Sequence, residues 1–314
     1  MFAIDDPSAV AVMPTPEAAG TAGWWTEGNP ALGQAATLMR ASWFNGLQQE
    51  LLNILSAGGV TPNKTTYNQL LAALNALYSK GRLLRTLVYT RVSGVQNVSV
   101  NGGTPTTTGA GSYVPGASMT FCIAEVQGAG NAGGGASVPT SGNLSMGSPG
   151  GCGAYGEGYF SAASIGASQV VTVGLGGAGV ASAAGGNGGA SSLGSLLTAP
   201  GGIGSAPLNN FVAANIANGN SSVTAAPTGA NLIAVPGMNS SVSLIINVGA
   251  TTGYIPAPGA PSKYGQGGAG AFNTSAGAST VPGTGGGGVI CNSAGANSAG
   301  GKGGDGQIII REFA

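Results

Sequence analysis

Several stretches of this 314-residue chain have the spacing Gly-Xaa-Gly-Xaa-Xaa-Gly, among them Gly128-Gly130-Gly133, Gly174-Gly176-Gly179, Gly265-Gly267-Gly270 and Gly301-Gly303-Gly306. In a dinucleotide site that spacing brings bare backbone against a pyrophosphate at the start of a helix. The first copy does follow a strand-like run, Met119 to Val126. What comes after it, Gly134-Gly135-Ala136-Ser137-Val138-Pro139, cannot open a helix, and a nucleotide site needs the motif once. Gly301-Lys302 is followed by Gly303 in place of the Ser or Thr of a phosphate loop. No cofactor is expected.

Hydrolytic chemistry is equally poorly supplied. The chain contains no histidine, which removes the commonest general base and metal ligand. Glycoside hydrolysis needs paired carboxylates, and after residue 113 the acids are Glu125, Glu157, Asp305 and Glu312. Glu125 alternates within a strand, while Asp305 and Glu312 lie beside Lys302 and Arg311 and are expected to pair with them. The expectation is a protein that is not an enzyme, with no catalytic and no metal-binding residues. Cys122, Cys152 and Cys291 form an odd, widely spaced set, which reads as free thiols, buried or half-buried.

If the glycines do no chemistry, they must build something. Only eight of the 61 precede residue 91, and the later blocks alternate with apolar runs such as Gln307-Ile308-Ile309-Ile310 that a flexible linker would lack. Two blocks, 185–190 and 300–305, read Gly-Gly-Xaa-Gly-Gly-Xaa. That period matches the polyproline II helix, with three residues per turn and a rise of about 3.1 Å per residue. Lys302 and Asp305 then share one edge, roughly 9 Å apart, and the other two edges carry only hydrogen. Such a helix satisfies none of its own N–H and C=O groups, which are costly to bury unpaired. The prediction is a bundle of glycine helices hydrogen-bonded to one another between β-strands. Collagen is excluded because the triplets stop after two repeats.

Composition narrows the partners. A hydrophobic content of 42% with zero formal charge disfavours disorder. Residues 92–314 contain three bases, Lys263, Lys302 and Arg311, too few for a phosphate-binding patch, so nucleic acid is not an expected partner. No apolar run is long enough to span a bilayer, and the acidic start, Met1 to Pro7, is unlike a signal peptide.

Residues 1–40 read as an extended arm punctuated by Pro14, Pro16, Pro30 and several glycines. Trp24 and Trp25 in this arm are candidates for an anchor into a partner subunit; the alternative is that they cover the helices that follow. Residues 41–81 read as a two-helix module. Ser42 to Ala57 places Phe44, Leu47, Leu51 and Ile54 on one face before Gly58-Gly59. A second helix, from a Thr66/Gln69 capping box to Lys80, does the same with Tyr67, Leu70, Leu74 and Leu77. Each seam faces either the other helix or a copy of the chain; with two short helices ahead of a large glycine domain, self-association is the preferred reading. Residues 82–112 read as a strand and linker region, with the domain boundary near Val100–Tyr113. Residues 113–314 form the glycine-rich domain.

Several of these residues carry a resemblance. Asp5-Asp6-Pro7, Gly28-Asn29-Pro30, Ala41-Ser42-Trp43-Phe44-Asn45, Gln49-Glu50-Leu51-Leu52-Asn53, Thr61-Pro62-Asn63-Lys64-Thr65 and Gln69-Leu70-Leu71 resemble the N-terminal module of tail fibre proteins of tailed bacteriophages and prophages. The glycine-rich half is similar to the C-terminal receptor-binding domains of the same class. The resemblance implies a homotrimeric virion fibre, made in the host cytoplasm. Its N-terminus joins other tail or baseplate proteins, and its C-terminus meets a bacterial polysaccharide, pilus or outer-membrane protein. The chain departs from plainer members in its long insertion at 205–262.

Glycine helices have no side chains with which to discriminate, so recognition is assigned to the loops between them. The expected loops are Ser137–Ser148, Asn209–Asn220, Gly253–Tyr264 and Phe272–Val281. They supply the receptor-contact candidates Asn209, Asn210, Phe211, Asn215, Tyr254, Tyr264, Phe272 and Asn273, with Asn218 and Asn220 nearby. Tyr and Asn suit adaptable surface contacts; the competing reading makes Phe211 and Phe272 core plugs. The expected fold is mainly β: a glycine-rich, β-sandwich-like C-terminal domain with polyglycine helices, preceded by the small two-helix module.

Overall fold

The computed structural model describes residues 2–78, 81–109, 111–219, 224–248 and 251–314. The chain is mainly β, with 31% strand and 11% helix. It divides into two compact units, Met1–Arg82 and Leu83–Ala314.

In the first unit, helix α1 (Ala41–Ala57) packs against helix α2 (Gln69–Tyr78). Leu55 and Ala73 are fully buried between them. The end of α1 approaches α2 so closely that a side chain on Gly58 would lie 2.6 Å from the Cα of Ala73. The expected capping box does not form, because α2 starts at Gln69. Its buried side chain instead reaches back, accepting from Asn63 N at 2.7 Å and donating to Thr66 O at 2.6 Å. The predicted end of this helix at Lys80 lies outside the described residues. The arm lies outside helix and strand except for a turn at Pro30–Leu32. Its start is tied back to the helical module: Ile4 N donates to Gln48 Oε1 at 2.8 Å, and Asp5 pairs with Lys64 at 2.5 Å.

The second unit is built on a seven-stranded antiparallel sheet. In spatial order its strands are Ile233–Val235, Tyr155–Ser161, Phe121–Gln127, Gln307–Phe313, Leu83–Val92, Val95–Val100 and Thr106–Thr107. The region 82–112 thus holds strands, as its strand reading expects, but belongs to the second unit and is not a linker between domains. Leu83–Val92 pairs from Leu83 to Tyr89 with the last strand, Gln307–Phe313, and the unit begins at Leu83 instead of near 100–113. Alternation puts Cys122, Ala124, Val126, Ile308 and Ile310 inside. There they meet Val171, Leu193 and Leu197 from a four-stranded sheet, Leu197–Ala199, Ser191–Leu193, Gln169–Thr172 and Ser112–Tyr113.

Beside this core the glycine segments form the predicted bundle, and the hydrogen bonds declare its period. Along 128–136 the amides donate in strict rotation to three antiparallel neighbours. Gly128, Asn131 and Gly134 donate to the carbonyls of Ala154, Gly151 and Ser148. Ala129, Ala132 and Gly135 donate to Gly189, Gly186 and Ala183. Gly130, Gly133 and Ala136 donate to Gly304, Gly301 and Ser298. Each third residue faces the same neighbour, as a helix of three residues per turn requires. A Cβ on Gly130 would collide with Thr284 O, and one on Gly133 with Gly287 O. Glycine is what lets these backbones touch.

Candidate functional site

Three of the four expected loop regions converge with part of the fourth on a second apolar cluster of Leu144, Met146, Ile245 and Ile290. They are more ordered than loops. Pro207–Val212, Asn143–Gly147, Val289–Asn292 and Ala271–Phe272 form one sheet, and Ile216–Asn218, Ser243–Val248 and Thr251–Ile255 another. Asn-, Ser- and Gly-rich strands lack the β-branched alternation that marks a strand in sequence.

Phe211, Tyr254 and Phe272 pack on this cluster, and the Tyr254 and Phe272 rings stack with centroids 4.3 Å apart. The asparagines hold backbone. Asn209 Oδ1 accepts from Ser137 N at 3.0 Å, and Asn210 Oδ1 accepts from Thr140 N at 2.9 Å, so the two side chains fasten the 137–143 segment. Asn210 adopts a left-handed φ of 53°, where the pairing register with Asn143–Gly147 shifts. Asn215 Oδ1 accepts from Asn247 N at 2.5 Å. Asn273, at φ 54°, exchanges two hydrogen bonds with Asn292. The Asn218 side-chain nitrogen is buried with no partner among the described residues, and Asn220 lies outside them. Around this framework Val212, Val248 and Ile255 stay exposed, at 74%, 71% and 50%.

Tyr264 does not join that group. It belongs to a charged network on the seven-stranded sheet whose centre, Glu125, is buried. Lys263 and Arg311 both ion-pair with Glu125, and Tyr155 Oη lies 3.0 Å from its carboxylate and 3.2 Å from that of Glu157. Burial disfavours charge on Glu125, but the hydrogen bonds from Lys263 and Arg311 outweigh it and hold the carboxyl below the ordinary glutamate range. Burial, and then the charge of Glu125, pushes the Tyr155 hydroxyl well above the usual tyrosine range. A carboxylate pinned by two cations is a structural hub and a poor proton donor at neutral pH.

The remaining acids are similarly engaged. Lys302 and Asp305 pair at 3.0 Å as expected, and Asp305 also accepts from Gly176 N. Glu312 does not pair with Arg311. Consecutive residues of a strand point to opposite faces, so Arg311 reaches Glu125 while Glu312 points inward to Arg85, Tyr113 Oη and Gly116 N. Sequence reasoning missed the roles of Arg85, Tyr155 and Lys263. The available signal was scarcity, since a base in so uncharged a fold must find an acid. All three cysteines are free and buried, as expected, and burial pushes the Cys122 thiol up to about 11. Among the described residues no group of three or more His, Cys, Asp or Glu is placed to hold a metal ion.

No protein-family model matches the chain. A stretch of 86 residues, 27% of the chain, is 41% identical to Tail fiber protein S of Escherichia phage Mu and spans 17% of that protein. The chain is similar to a phage tail fibre protein. In the arm of the first unit Trp24 is 95% exposed, whereas Trp25 packs edge-on against Trp43 of α1 with centroids 5.5 Å apart. Trp25 thus covers α1, as the covering reading expects, and Trp24 leaves its ring exposed. No helix among the described residues is long and apolar enough to cross a membrane.

Proposed function

We propose that the chain is a virion tail-fibre protein that attaches the particle to the bacterial surface as a homotrimer and is not an enzyme. The observation that carries this reading is the 41% identity to a tail fibre protein over 86 residues. The folded architecture supports the division of labour. A bundle of backbone-to-backbone helices is stiff and chemically bland, and the side-chain-rich segments it connects gather around the Leu144–Ile290 cluster. Exposed Val212, Val248 and Ile255, together with the surface of the 137–143 and 213–219 segments, would meet the receptor. Trp24, with exposed Phe44 and Leu47 of α1, would meet tail proteins or sister subunits. Three copies per fibre raise avidity without strong single contacts.

Antibody raised against residues 83–314 and applied to intact particles tests the reading. Blocked adsorption is expected. Particles that bind cells normally while coated with it would favour a purely structural tail component.

A further inference from the structure

A cavity of about 210 Å³ opens beside the Glu125 network, lined by Cys152, Tyr155, Val235, Pro236, Met238 and Lys263 among others. It is smaller than the roughly 300–1,000 Å³ of sites for drug-sized ligands, so it suits one ring and not a chain of them. One wall is apolar and open to solvent: Met238 is 49% exposed and Val235 41%. The other is polar and incompletely matched. Tyr155 has a single hydroxyl hydrogen and two carboxylates within reach, at 3.0 and 3.2 Å. Glu125 also receives Lys263 and Arg311, whereas among the described residues Glu157 has only its share of that hydroxyl. Lys263 bonds to Glu125 and to Tyr155 Oη, leaving a third ammonium hydrogen for a further acceptor. Two acids and two bases sum to zero charge, so the site offers no net attraction to an ion.

We propose that this cavity binds a single neutral pyranose unit. The C–H face of the ring lies on Val235, Pro236 and Met238, and a ring hydroxyl accepts from Lys263 and donates to Tyr155 Oη, both of which line the cavity. This rests on the proposed role of the second unit in meeting a bacterial surface, and it places a saccharide subsite apart from the Leu144–Ile290 cluster.

Saturation-transfer NMR on the full chain, with the methyl glycosides of glucose, galactose and N-acetylglucosamine as probes, tests it. At least one neutral glycoside should receive saturation on its ring protons. Met238→Trp, which fills the cavity, should abolish the transfer without lowering the melting temperature. Tyr155→Phe should weaken affinity about fivefold, as loss of one neutral hydrogen bond would. Sialic acid and glucose 6-phosphate should receive none. Transfer that survives Met238→Trp, equal transfer to the charged sugars, or none to any neutral glycoside overturns the proposal. Cell adsorption measured in parallel separates the two readings. Adsorption without sugar binding removes the subsite alone, and sugar binding without adsorption removes the attachment role alone.

Discussion

Arg85 and Glu312, 227 positions apart, are joined by two hydrogen bonds of 2.7 Å. The pair clamps the first strand of the second unit to the last, and Glu312 is fully buried beneath it. Arg85→Ala strands that carboxylate, and a loss of about 3 kcal/mol is expected, toward the low end for a broken buried pair because Arg85 itself is 30% exposed. Arg85→Lys should recover only part, since an ammonium cannot reproduce the two-pronged contact. Urea unfolding of the three proteins checks this; equal midpoints for all would refute it.

Acid should weaken the fold through Glu125 and Glu312. Both carboxyls are held below their ordinary value of 4.5 despite burial. A group whose folded pKa is depressed stabilises the native state above its unfolded pKa and loses that contribution as pH falls through the folded value. Stability should be flat from pH 7 down to about 5 and decline below 4.5, and Glu125→Gln should blunt the decline. The melting temperature followed from pH 7 to 3 is the check, and a flat profile to pH 3 would count against the two networks.

Within the glycine bundle, crowding should separate harmless from ruinous substitutions. Gly133→Ala drives a methyl group into the carbonyl of Gly287, and a loss of more than about 3 kcal/mol is expected, as for an overpacked core. Gly142→Ala, at a left-handed φ of 82° with open space around it, should cost only about 1 kcal/mol of backbone strain. Comparable losses for the two variants would mean that the bundle is looser than described.

Trp24→Ala should leave the melting temperature unchanged, because the ring is 95% exposed, yet reduce incorporation of the fibre into particles. Trp25→Ala removes the contact with Trp43 and should destabilise the first unit by about 1 kcal/mol. Quantifying fibre protein in purified particles, with melting curves of the free protein, distinguishes the two rings.

Exchange of residues 205–281 for those of a related fibre should alter host range while the bundle persists. Circular dichroism verifies the fold, and plating on a strain panel reads the specificity. An unchanged host range with a well-folded chimaera would argue against recognition by this segment.

Much of this architecture was legible because glycine's constraint is local. Two repeats of Gly-Gly-Xaa announced a three-residue period, and the Lys302–Asp305 pair followed from it. The long partnerships were hidden. Leu83–Val92 reads as a strand, but nothing in it names Gln307–Phe313 as its partner, and nothing near Glu312 in sequence points to Arg85. The strands Asn143–Gly147 and Pro207–Val212 escaped notice because tertiary context decides pairing in segments of weak intrinsic preference. The candidate site was half legible. The asparagine- and aromatic-rich segments do assemble, but Asn209, Asn210 and Asn273 turn their amide oxygens to backbone N–H groups of neighbouring segments, and Tyr264 sits with the charged network.

Rotation of donors among three neighbours imposes a reading frame on the folded chain. One residue inserted between Gly128 and Ala136 would turn everything downstream by about 120°, offering each amide to the wrong strand of the bundle and each non-glycine side chain to a wall of carbonyls. Length changes of one or two are thus forbidden inside the glycine runs and permitted between them. A lineage under pressure to alter its outer segments can lengthen, shorten or trade them freely while this frame stays untouched.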